Sequence, residues 1–200
     1  MSRVRKVYSL VATDADGIAT SQTPSGAGNL TLDGALTSGG ALTLSNQQFV
    51  TITGGSDESG KTFTIYGTSE IGSSISEDIT GPNAETVTST LCYKTVTRIA
   101  VDAATTGAIT AGISGSSELP WIPLSQYIVP FQYEVFVDAN NAMYEVQSTL
   151  DNVQDSSITP VVNANVDIGN GEKSIISAIR LKVKSFVSGD IVFNVLQSGR

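Results

Sequence analysis

With 200 residues the chain has room for one domain of ordinary size, or for two small ones that would each gain from a partner. Only 15% of the residues are charged and the formal net charge is −8; Thr, Ser, Gly and Asn fill the gap, a strand-and-turn vocabulary on a chain that would repel a phosphate backbone. The absence of His and the single Cys92 exclude His-based triads, the usual zinc sites and an intrachain disulfide, so the expectation is a protein with no enzymatic activity, no cofactor, and neither nucleic acid nor membrane as partner.

Residues 1–40 read as an extended N-terminal arm. Its opening, MSRVRKVYSLVA, places Arg3, Arg5 and Lys6 before an apolar segment that Ser9 interrupts, too short for a secretory core or a membrane span. One strand is predicted over Lys6 to Ala12. The Gly/Ser/Thr-rich run that follows has too few apolar residues for a core of its own and is expected to lie on a neighbouring surface. DADG (14–17) resembles the start of a calcium loop, but its twelfth position is Ser25 and its glycine comes early, which favours an Asx-type turn.

Residues 41–118 read as a first β-sandwich module. β-branched and polar residues alternate in LTLS (42–45), QFVTIT (48–53), KTFTIYG (61–67), SISEDIT (74–80), ETVTSTL (85–91), KTVTRIAVD (94–102) and AITAGI (108–113), with turn signals between them. GSDESGKT (55–62) matches the phosphate-binding pattern G-x-x-x-x-G-K-[ST] letter for letter. That pattern needs a helix after it, and KTFTIYG alternates as a strand; Asp57 and Glu58 would also repel phosphate. The stretch is therefore expected to be a polar hairpin tip that its acids keep soluble. Cys92 lies inside a strand, where a small core residue is expected rather than a nucleophile.

LPWIPLSQYIVPF supplies a Pro-rich linker, 119–131, in which Trp121 is expected to wedge between modules or into a partner rather than to stack on a sugar. Residues 132–200 form the second module. FQYEVFVD and MYEVQSTL are predicted to make a hairpin around ANNA, ITPVVNANVDI leads into a turn at GNGE, and DIVFNVLQ (190–197), apolar on both faces, belongs in mid-sheet or at an interface. In SIISAIRLKVKS, Ile179, Leu181 and Val183 share one face while Arg180, Lys182 and Lys184 share the other, as a docking strip for an acidic neighbour or a solvated face that discourages edge pairing. Asp151, Asn152 and Asp155 form an oxygen-rich cluster of calcium-ligand type, but the sequence shows no further ligands beside them, and no metal site is expected. The remaining carboxylates, among them Glu77, Glu134 and Glu145, are expected on solvated faces.

The run GNLTLDGALTSGGALTL (28–44) and the stretch from Phe49 to Ile113 resemble a recurring module of tailed-bacteriophage virion structural proteins. In that module a Gly-Thr turn precedes a Ser-Glu strand, a Gly-Pro-Asn turn and an aromatic-Lys-Thr-Val strand, here ending on Tyr93-Lys94-Thr95-Val96. YEVQSTLDNV (144–153) with SAIRLKVKSFVSGDIVFNVLQSG (177–199) is similar to the β-rich module that often accompanies it, although the usual Thr-x-Asp-Asp reads Thr149-Leu150-Asp151-Asn152. The resemblance implies two small antiparallel, jelly-roll-like β-sandwich modules and carries no catalytic residues. It implies a non-enzymatic structural component of the virion, assembled in the host cytoplasm, above all a head decoration or cement protein on the major capsid protein. Alternatives are a neck or tail protein assembled as a ring and a surface adhesive or carbohydrate-binding β-sandwich. A homo-oligomer is expected, with Arg3, Arg5, Lys6, Trp121, Arg180, Lys182 and Lys184 as interface candidates.

Overall fold

Alternation of side chains fixes the secondary structure: along Thr62–Thr68, Phe63, Ile65 and Gly67 are buried while Thr62, Thr64, Tyr66 and Thr68 stay partly exposed. The computed structural model describes residues 2–125, 131–137, 142–151, 153, 161–162, 168–170 and 176–197. They form an all-β structure with no helix among the described residues. In chain order the strands are β1 (Ser2–Tyr8), β2 (Asp14–Gln22), β3 (Gly28–Asn29), β4 (Thr37–Ser38), β5 (Ala41–Gly54), β6 (Thr62–Thr68), β7 (Ser74–Thr80), β8 (Thr86–Val101) and β9 (Ile109–Ile113). They continue with β10 (Ser117–Glu118), β11 (Ile122–Pro123), β12 (Phe131–Val137), β13 (Ala142–Thr149), β14 (Val161–Val162), β15 (Ile168–Asn170), β16 (Ala178–Phe186) and β17 (Ile191–Gln197).

The chain divides into two compact units, one of them split in sequence: residues 1–9 and 118–200 form the split unit, and residues 10–117 are inserted between its first and second strands. In the inserted unit the hydrogen-bonded order is β2-β9-β5-β8-β6-β7, with β3 added on β8 and β4 on β5, so it is one continuous sheet rather than two separate ones. Its long strands β5 and β8 replace four shorter predicted ones. Register shifts between Thr43 and Gln48, and between Phe49 and Thr51, mark where the pairing of β5 with β8 is irregular. The core holds Leu42, Val50, Ile52, Phe63, Ile65, Tyr93, Val96, Ile99, Ile109 and Ile113, all fully buried.

Residues 1–40 are not an arm. β1 pairs with β17 over its whole length, and the segment after it buries Leu10, Ile18, Ala19, Leu30 and Leu32. Side chains replace part of the ladder there: Asp33 accepts from both the N–H and hydroxyl of Thr20, and Gln22 accepts from Thr31 N–H while donating to Thr31 C=O. Those Thr20 donors, backbone first and hydroxyl second, hold the Asp33 carboxyl below its ordinary range. Few apolar residues suffice because each joins a core that the rest of the unit supplies.

Tyr93 introduces a polar atom into that core. Its hydroxyl is buried with no hydrogen-bond partner among the described residues, and burial, then the Glu77 charge, push the phenol upward. Tyr93→Phe is therefore expected to be neutral or stabilising by up to about 1 kcal/mol at neutral pH. A raised phenol contributes stability that is complete below the unfolded value of about 10 and is lost as pH rises past it, so the variant should resist alkaline unfolding better than the wild type. Unfolding followed from neutral to alkaline pH checks this, and an unchanged alkaline limit would contradict it.

In the split unit one sheet has the order β1-β17-β12-β15 and the other β10-β16-β13-β14, with β11 also on β16. The first buries Tyr8, Tyr133, Val135, Ile191, Phe193 and Val195; the second buries Tyr144, Val146, Ile179, Leu181 and Val183. Ser125 and Gln197 tie β17 to the segment after β11 through two hydrogen bonds. β17 is central in its sheet, as its apolar faces suggested. The Pro-rich segment is part of this unit instead of a linker: Leu119, Ile122 and Leu124 are buried, and Pro123 sits in β11 on an outer position of the sheet, where a missing N–H is tolerated. β12 and β13 do not form a hairpin, because they belong to different sheets; alternation tells which face is buried, not which strand lies alongside. Gly169 and Asn170 of the expected GNGE turn pair within β15. The ANNA turn before Ala142 lies outside the described residues, as does most of ITPVVNANVDI.

Candidate interaction surfaces

The loop GSDESGKT joins two strands, β5 and β6, and lacks the features that hold phosphate. Four of its N–H groups are committed internally: Gly55 to Ala108 C=O, Glu58 to Pro82 C=O, Ser59 to the Asp57 carboxylate and Lys61 to Glu58 C=O. Lys61 is turned onto Glu58, Nζ to Oε2 at 2.5 Å. The expected soluble hairpin tip is corrected on both counts: β8 lies between β5 and β6, so the loop closes no hairpin, and Glu58 is 0% exposed. Its Oε1 accepts from the N–H groups of Thr106 and Gly107, each at 2.7 Å. Burial opposes its charge, yet Lys61 and these two donors outweigh that cost and hold the carboxyl below the ordinary range. Asp57, by contrast, is exposed, and the Ser59 hydroxyl followed by its N–H lowers its pKa.

Other carboxylates expected on solvated faces are also structural. Glu77 on β7 accepts from Thr90 N–H, Thr90 hydroxyl and Leu91 N–H, capping the irregular stretch of β8. Glu70 takes Lys94 at 2.9 Å and Gln47 N–H at 2.8 Å. Asp16 N–H donates to Asp14 Oδ1, the Asx turn expected at DADG. Asn152 and Asp155 lie outside the described residues. Cys92 is buried in β8, opposite Phe49.

The outer face of the β16 sheet carries Trp121, Arg180, Lys182 and Lys184, and the structure brings all four into one network. Glu118 binds Arg180 at 2.8 Å and Lys182 at 2.7 Å. Lys184 binds Glu145 at 2.6 Å, and Arg180 Nε donates to Gln147, whose amide donates to Glu145. Lys184, then Gln147, holds the Glu145 carboxyl below its ordinary range against the opposing effect of burial. The Arg180 guanidinium lies 4.5 Å from the Trp121 ring centroid. The cationic strip is thus compensated within its own sheet, and the Trp121 face is occupied. The acids that do this, Glu118 and Glu145, sit on neighbouring strands, where a search along one strand could not find them.

Arg3, Arg5 and Lys6 behave differently. Among the described residues β1 is the edge of its sheet, and its register places Arg3, Arg5 and Val7 beside Leu196, Asn194 and Val192 of β17, and those beside Gln132, Glu134 and Phe136 of β12. The nine residues share the outer face, since Tyr133, Val135, Phe193 and Val195 between them are buried. Asn194 donates to Glu134, and its own Oδ1 has no donor among the described residues. Phe136 is 58% and Val7 42% exposed. Lys6 has the inward parity of Val4 and Tyr8 yet is exposed at the open edge. Among the described residues, Arg3, Arg5 and Lys6 make no ion pair.

Comparison with protein-family models, with curated proteins and with solved structures found no match to this chain. The surfaces above therefore stand on their own geometry.

Proposed function

We propose that the protein is a non-enzymatic structural component of a tailed-phage virion, acting as a head decoration or cement protein on the major capsid protein. The observation that carries this reading is the strand order of the split unit. Lettered in chain order from B to I, with β10 and β11 together as C, its sheets run B-I-D-G and C-H-E-F, the order of a double Greek-key jelly roll. That architecture serves viral shell domains and lectins, so fold analogy supports both a virion role and a sugar-binding one. Aromatic faces divide the two. Trp121 is covered by Arg180, and Tyr66 by Arg98 at 3.7 Å from the ring centroid, so neither offers a bare stacking platform. Phe136, 58% exposed, is the one aromatic among the exposed large hydrophobic residues described, and a single ring on a sheet face is a poor sugar platform, which favours the structural role. The internally compensated charges of the β16 sheet suit a rigid building block. A neck or tail ring uses the same parts in fewer copies. Quantifying the chain against the major capsid protein in purified particles tests the assignment: near parity is expected, and a trace, ring-like ratio would overturn decoration in favour of the neck or tail.

A further inference from the structure

Charge is distributed unequally between the two units. Residues 10–117 contain ten carboxylates and three cations, a net −7, whereas the split unit contains nine carboxylates and eight cations, a net −1. All three cations of the inserted unit are engaged, Lys61 with Glu58, Lys94 with Glu70 and Arg98 on Tyr66. Arg180, Lys182 and Lys184 are engaged as well. Among the described residues, the cations left without an acidic or aromatic partner are Arg3, Arg5 and Lys6, and all three lie on the edge strand β1.

We infer that the edge of β1, with the outer face of its sheet, receives the acidic inserted unit of a second copy of this chain. Among the described residues no strand pairs with the outer edge of β1, so the edge supplies open backbone and three cations, and Val7, Val192 and Phe136 form an adjoining apolar row that water would leave on docking. Two copies of β1 would not pair with each other: in antiparallel two-fold registers the Arg and Lys side chains oppose or flank their own kind, a like-charge arrangement that protects edges from self-pairing. The contact therefore joins two unlike surfaces, a cationic edge and an acidic body. Made in one direction, such contacts repeat into rings, lattices or open chains; made reciprocally, they close as a two-fold dimer. This inference does not depend on the virion reading, and it holds wherever the chain is made.

The test uses the full-length chain, with mass followed by sedimentation over a range of salt. Wild type should associate at high micromolar concentration in low salt, and raising the salt from about 0.05 M to about 0.5 M should weaken association on the order of tenfold. The variant R3E/R5E/K6E should stay monomeric with an unchanged melting temperature, and Phe136→Ser, at an exposed site, should weaken association without unfolding the protein. Because the triple variant keeps its acidic unit, a labelled triple variant, monomeric alone, should sediment with wild-type assemblies when the two are mixed. A monomeric wild type, even one that captures an unrelated acidic protein through β1, would overturn the inference. So would a triple variant that associates like wild type, or a labelled triple variant that does not sediment with wild-type assemblies.

Discussion

Glu58→Ala is expected to destabilise the inserted unit by about 3–5 kcal/mol, the range for breaking a buried, hydrogen-bonded ion pair from one side. The substitution strands Lys61, and it leaves the N–H groups of Thr106 and Gly107 without their acceptor, so the loops at 55–61 and 102–108 lose the group that ties them. Glu58→Gln should cost less, because an amide oxygen can still receive the two N–H groups while only the ion pair is lost. Denaturant unfolding of the full chain, monitored for these variants beside wild type, gives the order wild type, Gln, Ala. The carboxyl is held below its ordinary value in the folded state, so its contribution is present above the unfolded value of about 4.3 and is lost as pH falls through the lower folded one. Acid should therefore destabilise wild type more steeply than Glu58→Gln. Equal stabilities for all three proteins would mean that the pair does not hold the loop.

The same residue shows what sequence patterns carry and what they omit. Alternation located β6, β7 and β17 almost to the residue, and it separated Ile179, Leu181 and Val183 from Arg180, Lys182 and Lys184, because a period of two is a local property of the backbone. The burial of Glu58 was not legible: a charged residue in a glycine-rich turn is ordinarily solvated, and its donors come from residues 48 and 49 positions later. Topology was hidden for a similar reason. β1 and β17 pair although nearly the whole chain lies between them, and neither strand contains a signal that names its neighbour. The N-terminal cations were visible as candidates from the start; that they differ from the β16 strip emerges only from Glu118 and Glu145, which compensate one group and not the other.

Gly112→Ala is expected to be at least as damaging as the loss of Glu58, about 4 kcal/mol or more, and to unfold the inserted unit under mild conditions. The reason lies in how β2 crosses β9. Asp14 pairs with Ile113 and Ala19 with Ala111, so five steps along β2 correspond to two along β9, and the surplus backbone bulges. That bulge is DADG. It presses the Asp14 carbonyl and the Ala15 backbone onto Gly112, where a Cβ would fall well inside van der Waals contact with main-chain atoms that no rotamer change can remove. Either the bulge must lift, pulling Ile18 and Ala19 from the core, or β9 must leave β5. Gly28→Ala provides the control, because a Cβ there meets nothing within 4 Å, and its cost should stay within about 0.5 kcal/mol. Thermal and denaturant unfolding of the two variants should separate them clearly; a Gly112→Ala protein as stable as Gly28→Ala would show that β2 can shift away at little cost, and that the acidic turn, not the glycine beneath it, determines the shape of this edge.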